Sequence, residues 1–186
     1  MSIKHNVPHV YKADPFKNIN DIQNIEATLF NHERYQFLKC RDYTLFVIGI
    51  NTGLYYSDLL ELTYDTLIDS HKQIRNIIDL HTDISKYNLY PIYLNQSAQL
   101  AIKQYFQLHP EFKENDCIFP SYKNTKVKHT STHAINLIIK EVTNQLNIQG
   151  NYNVFSLRKT FLYHMLGIQD TYTGQEVKQI YLTHNL

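Results

Sequence analysis

The run Leu45-Phe46-Val47-Ile48-Gly49-Ile50 constrains the fold of this chain more than any other stretch. It falls within a segment from about Glu33 to Ile50 that reads as one helix, and a helix with so long an apolar run must lie centrally, enclosed by its neighbours. Asn51-Thr52-Gly53 supplies the stop. The chain has 186 residues, enough for one well-buried domain and tight for two. Hydrophobic residues make up 43% and charged residues 19%, which excludes a disordered chain.

The other elements follow from periodicity. Residues 1–17, with Pro8 and Pro15 and no repeat of apolar positions, read as an N-terminal arm or linker, and 18–186 as the folded domain. Ile22, Ile25 and Leu29, after a cap at Asn20 or Asp21, predict an amphipathic helix. Past Gly53, a Ser57 cap and Leu59, Leu60 and Leu62 predict a tight turn into a short buried helix. Residues 74–80 and 87–94 predict a hairpin. Ser97 is read as capping a helix through Leu100, Ala101, Tyr105 and Phe106. A polar loop with Lys123, Lys126, Lys128 and His129 leads to a helix capped at Ser131 or Thr132, with Ile135, Ile138, Ile139, Val142 and Leu146 on its apolar side. Residues 175–182 read as a last short helix.

Near the C-terminus, Val154-Phe155-Ser156-Leu157-Arg158-Lys159-Thr160-Phe161 opens one further helix. With Ser156 as its N-cap, Arg158 falls in the first turn, where free backbone N–H groups and a forked guanidinium together suit a phosphate. The plainer alternative is an amphipathic helix with an exposed arginine. The lysine-rich loop likewise reads either as an anion-contacting surface or as a solvated loop.

Charge and composition narrow the classes. Eighteen Lys and Arg against 17 Asp and Glu leave a net charge of +1, which argues against strong nonspecific DNA binding but leaves room for a local basic face. Cys40 and Cys117 have no metal-ligand spacing and read as small buried side chains; the ten histidines form no ligand pair, so neither metal nor cofactor is expected. Without an apolar run of signal or membrane-span length, the chain reads as intracellular and cytoplasmic, with no membrane partner.

Five stretches, in order, resemble the catalytic domain of the tyrosine recombinases, the phage integrase family. They are "RDYTLFVIGINTGL" (41–54), "SDLLELTYDTL" (57–67), "YPIYLN" (90–95), "IFPS" (118–121) and "SLRKTF" (156–161). The resemblance covers about Arg41 to the end. It implies a mainly α (α+β) fold, a helical bundle with a small antiparallel sheet, in which 117–121 match a strand and the lysine loop and the following helix start face DNA. It also implies a reaction that transfers a phosphoryl group to a tyrosine oxygen, with two arginines, a histidine-like donor and a lysine around the phosphate.

Read onto this chain, the resemblance leaves Arg158 and His184 at family positions, while Tyr55, Asp83 and Phe155 stand where Arg, Lys and His are expected. Lys86 corresponds better to a second, less constrained basic residue. The nucleophilic tyrosine would lie beyond Leu186, so the domain reads as truncated before it. Tyr181 is the alternative nucleophile, in a domain shortened after Arg158.

The expected function is therefore a catalytically inactive, integrase-like DNA-binding protein, a regulator or accessory factor of a phage or plasmid. Its DNA contacts would come from Lys123, Lys126, Lys128, His129, Arg158 and Lys159. Two alternatives stand beside it. One is a protein-interaction module that accepts a partner's C-terminal helix, through self-association or a related recombinase subunit. The other is an active site-specific recombinase using Tyr181.

Overall fold

The computed structural model describes residues 13–33, 36–78, 91–121 and 128–167. The elements are α1 (Ile19–Asn31), α2 (Gln36–Thr52), α3 (Tyr56–Glu61), α4 (Tyr64–Leu67), β1 (Ile77–Ile78), β2 (Ile92–Tyr93), α5 (Gln96–Leu108), α6 (Thr132–Gln145) and α7 (Val154–Leu166). It is a mainly helical bundle with one small antiparallel sheet, in which Ile77 faces Tyr93 and Ile78 faces Ile92.

Helix α2 runs through the middle and packs on α1, α5 and α7. Cys40 through Asp42, Thr44 through Ile50, and Thr52 are all buried, so no side of its central turns faces water. Two of these residues are charged, and they neutralise each other. Arg41 Nη2 and Nε lie 2.6 and 2.9 Å from Asp42 Oδ1, and Arg41 Nη1 donates to the Pro120 carbonyl at 3.0 Å. A buried pair is tolerable only when both partners are so satisfied.

Close approach of α2 to α7 depends on Gly49, where an added Cβ would lie 2.8 Å from Leu157 Cδ1. Four residues on, Gly53 ends α2 with φ +64°, and a Cβ there would lie 2.7 Å from Phe161 Cε1. This left-handed residue reverses the chain into α3 and seats the turn on α7.

The caps differ from those expected at four helices. Asn18 caps α1, its side chain accepting from the Asn20 N–H at 2.9 Å. Tyr55 is the N-cap of α3 and makes no side-chain capping bond, and the Ser57 hydroxyl turns to Asp58 Oδ1 at 3.3 Å. Asn95 rather than Ser97 caps α5, accepting from the Ala98 N–H at 3.0 Å. Asn153 rather than Ser156 caps α7. An asparagine lay just upstream of each serine read as a cap of α5 and α7, and the cap is the residue whose backbone is still extended, a property of conformation rather than residue type. At α6 the Ser131 cap holds.

The expected strand at 117–121 is a single bridge, Thr63 to Cys117, continued by the Ile118 N–H donating to Leu62 O at 3.1 Å. Residues 13–17, read from the sequence as part of an arm, instead form a packed strap. Phe16 is 1% exposed, stacks on Tyr152 with centroids 4.3 Å apart, and donates its N–H to Thr160 Oγ1 at 2.9 Å. Among the described residues no helix is long and apolar enough to cross a membrane.

Candidate functional site

The α2–α3 turn and the first turns of α7 build the site. Asn153 starts α7 with a capping box: its Oδ1 accepts from the Phe155 N–H at 3.0 Å, and its own N–H donates to Ser156 Oγ at 3.0 Å. The Val154 N–H is held by Asn136 Oδ1 at 2.8 Å, and the Ser156 N–H by the Asn153 carbonyl at 2.8 Å. Arg158 is thus the fifth residue of α7, a full turn in. The expectation that it shares an anion with free first-turn amides is corrected on this ground, because those amides already have partners.

What Arg158 touches is the turn opposite. Its Nη1 donates to the Gly53 carbonyl, and its Cζ lies 3.9 Å from the centroid of the Tyr55 ring. Cation on aromatic face is an attractive arrangement, worth about 0.5–2 kcal/mol depending on burial. Nη2 is buried without a hydrogen-bond partner among the described residues. Phe155, half-buried, meets Tyr56 edge-on with centroids 5.2 Å apart. Tyr55, Phe155 and Arg158 therefore converge on one patch where α3 meets α7.

The remaining candidates divide. Lys159, expected to face DNA, donates from Nζ to the Ala13 carbonyl at 2.8 Å and so helps hold the strap. Lys128 and His129 both turn to Glu61, with Lys128 Nζ 3.1 Å from Oε2 and His129 Nε2 3.3 Å from Oε1. Asp83, Lys86, Lys123, Lys126, Tyr181 and His184 lie outside the described residues. Sequence reasoning missed Glu61, Tyr56 and the Gly53 carbonyl. Only Gly53 carried a signal, as the glycine stop of α2.

The sequence matches the model of the phage integrase family over residues 20–177. This chain belongs to the phage integrase family. It is 28% identical over 154 residues to the probable integrase/recombinase YoeC of Bacillus subtilis (strain 168), covering 82% of this chain and 74% of YoeC. It is also 28% identical over 126 residues to the tyrosine recombinase XerC of Caldanaerobacter subterraneus subsp. tengcongensis, spanning 66% of this chain but only 32% of XerC. Among solved structures, the XerA recombinase matches with TM-score 0.60 at 15% identity, over 97% of this chain and 66% of XerA. The XerH site-specific recombinase bound to its difH substrate matches with TM-score 0.61 at 16% identity, over 92% of this chain and 51% of XerH. The fold of this phage integrase family member is thus that of a tyrosine-recombinase catalytic domain.

Proposed function

We propose that this chain is a DNA-binding member of the phage integrase family that does not cut strands and serves as a regulator or accessory factor of a mobile element. One observation carries the reading: the ring of Tyr55, at the position expected for an arginine, covers Arg158. Two converging guanidiniums would require an anion between them, whereas a guanidinium against a ring is attracted to it without one. Among the described residues the site therefore has one cation where the family reaction calls for two, and a phenyl group at Phe155 where it calls for a donor. Losing one donor to the transition-state phosphate typically costs about 10²–10³ in rate. DNA binding is inferred from family membership and from solved relatives that hold DNA, among them XerH with difH and the Tn1549 integrase with a circular intermediate.

The test is a gel shift over a salt series together with a suicide-substrate assay. Retarded duplex whose affinity falls steeply with salt, and no covalent adduct, is the expected result. A covalent protein–DNA adduct that vanishes in Tyr181→Phe would make the chain an active strand-cutting enzyme and overturn the proposed inactivity. Absence of retardation at low salt would overturn DNA binding.

A further inference from the structure

We propose that Glu61 is a built-in counter-ion that masks a phosphate-binding pair, Lys128 and His129, and so sets how tightly this surface holds a polyanion. The inference rests on the DNA-binding reading and adds to it the residue that limits it.

The fold brings the three side chains together across a long separation. The end of α3 runs beside residues 117–119: Cys117 Sγ donates to the Leu60 carbonyl at 3.3 Å, and Thr63 bridges Cys117. The lysine-rich loop is closed at its base by the Thr130 N–H donating to Phe119 O at 2.7 Å, and Arg41 holds the Pro120 carbonyl at 3.0 Å. Thr130 itself is 3% exposed, so the two residues before it leave a fixed point. Those two are Lys128 and His129, and both reach the carboxylate at the end of α3.

The carboxylate is shared, one oxygen to each partner, at 3.1 Å from Lys128 Nζ and 3.3 Å from His129 Nε2. A phosphate oxygen pair offers the same acceptors with a similar bite. Lys128 is 54% and Glu61 31% exposed, so the cluster is open to a ligand and the internal pair is weak enough to be displaced.

The experiment compares wild type, Glu61→Gln, Lys128→Gln and the double variant in duplex binding by fluorescence anisotropy over a salt series. Glu61→Gln keeps the shape and removes the charge. It should bind about three- to tenfold tighter at low salt, with a salt slope steeper by about one. Lys128→Gln should cost little in wild type and most of the gain in the Glu61→Gln background. Where wild type binds duplex, unchanged or weaker binding by Glu61→Gln, or an equal cost of Lys128→Gln in both backgrounds, would overturn the proposal.

A second probe separates it from the DNA reading. Inorganic tripolyphosphate is titrated while the His129 ring signals are followed by NMR. If neither protein retards duplex, yet His129 shifts with tripolyphosphate in Glu61→Gln and far less in wild type, DNA binding fails and the masked anion pair stands. If His129 responds equally in both, or in neither, the masking role is wrong.

Discussion

The Tyr55 ring lies over the Arg158 guanidinium, Cζ to centroid 3.9 Å, and the Gly53 carbonyl takes Nη1 of the same group. A turn residue and a helix residue 103 positions apart in the chain thereby attract each other without a ligand, while Nη2 keeps no hydrogen-bond partner among the described residues. In a phosphate clamp the corresponding pair would repel until an anion arrived.

Tyr55→Arg should therefore weaken the free protein and make it respond to anions. At low ionic strength the second guanidinium is expected to cost about 1–2 kcal/mol, from the lost ring contact and the added repulsion. Sulfate should then raise Tm more in the variant than in wild type. Thermal melts with and without sulfate check this; equal melts would show that the ring–cation contact contributes nothing.

The two glycines that seat α2 on α7 should differ in cost. Gly53→Ala forces a side chain into a left-handed conformation and against Phe161, for an expected loss of about 3 kcal/mol or more. Gly49→Ala, at a helical residue, meets Leu157 first and should cost about 1–3 kcal/mol. Trimming the obstacle with Leu157→Val should recover part of the Gly49→Ala loss, but none of the Gly53→Ala loss. Urea unfolding of the single and double variants measures both.

Asn153 rather than Ser156 should dominate the start of α7. Asn153→Ala is expected to destabilise by about 1 kcal/mol, and the double variant with Ser156→Ala by less than the sum, because both belong to one capping box. A purely additive pair in chemical denaturation would argue against the reciprocal bonds.

Alkaline stability should depend on Tyr105. Its side chain is buried, its hydroxyl donates to the Ile118 carbonyl at 2.8 Å, and desolvation pushes its ionisation far above the usual phenol range. With the folded value raised, the stabilisation is complete below the unfolded tyrosine value, about pH 10, and declines above it as the unfolded chain ionises. Tyr105→Phe should cost about 1 kcal/mol at neutral pH through the orphaned Ile118 carbonyl, and flatten the loss above pH 10. An unchanged alkaline slope in the variant would place the sensitivity at other tyrosines.

Much of the fold was legible because it depends on near neighbours. The apolar run at 45–50 required a central helix, and α2 is enclosed on all sides. The contact between Tyr55 and Arg158 joins two stretches that the family resemblance sets around one site, while Phe155 meets Tyr56 beside it. Caps were legible only to within two or three residues, because serine and asparagine both suit the role and backbone geometry chooses between them.

Which charge meets which was decided by the tertiary structure alone. Lys159 and Ala13 are 146 residues apart, and Lys128 and Glu61 are 67 apart. Nothing near Lys159 in the chain distinguishes a lysine that pins a strap from one that meets a phosphate. Periodicity and capping act over a turn or two, so residues determine their own helices and which faces those helices bury. A long side chain's partner is settled only when packing has fixed where both ends lie, and from then on short-range electrostatics chooses the nearest opposite charge or carbonyl.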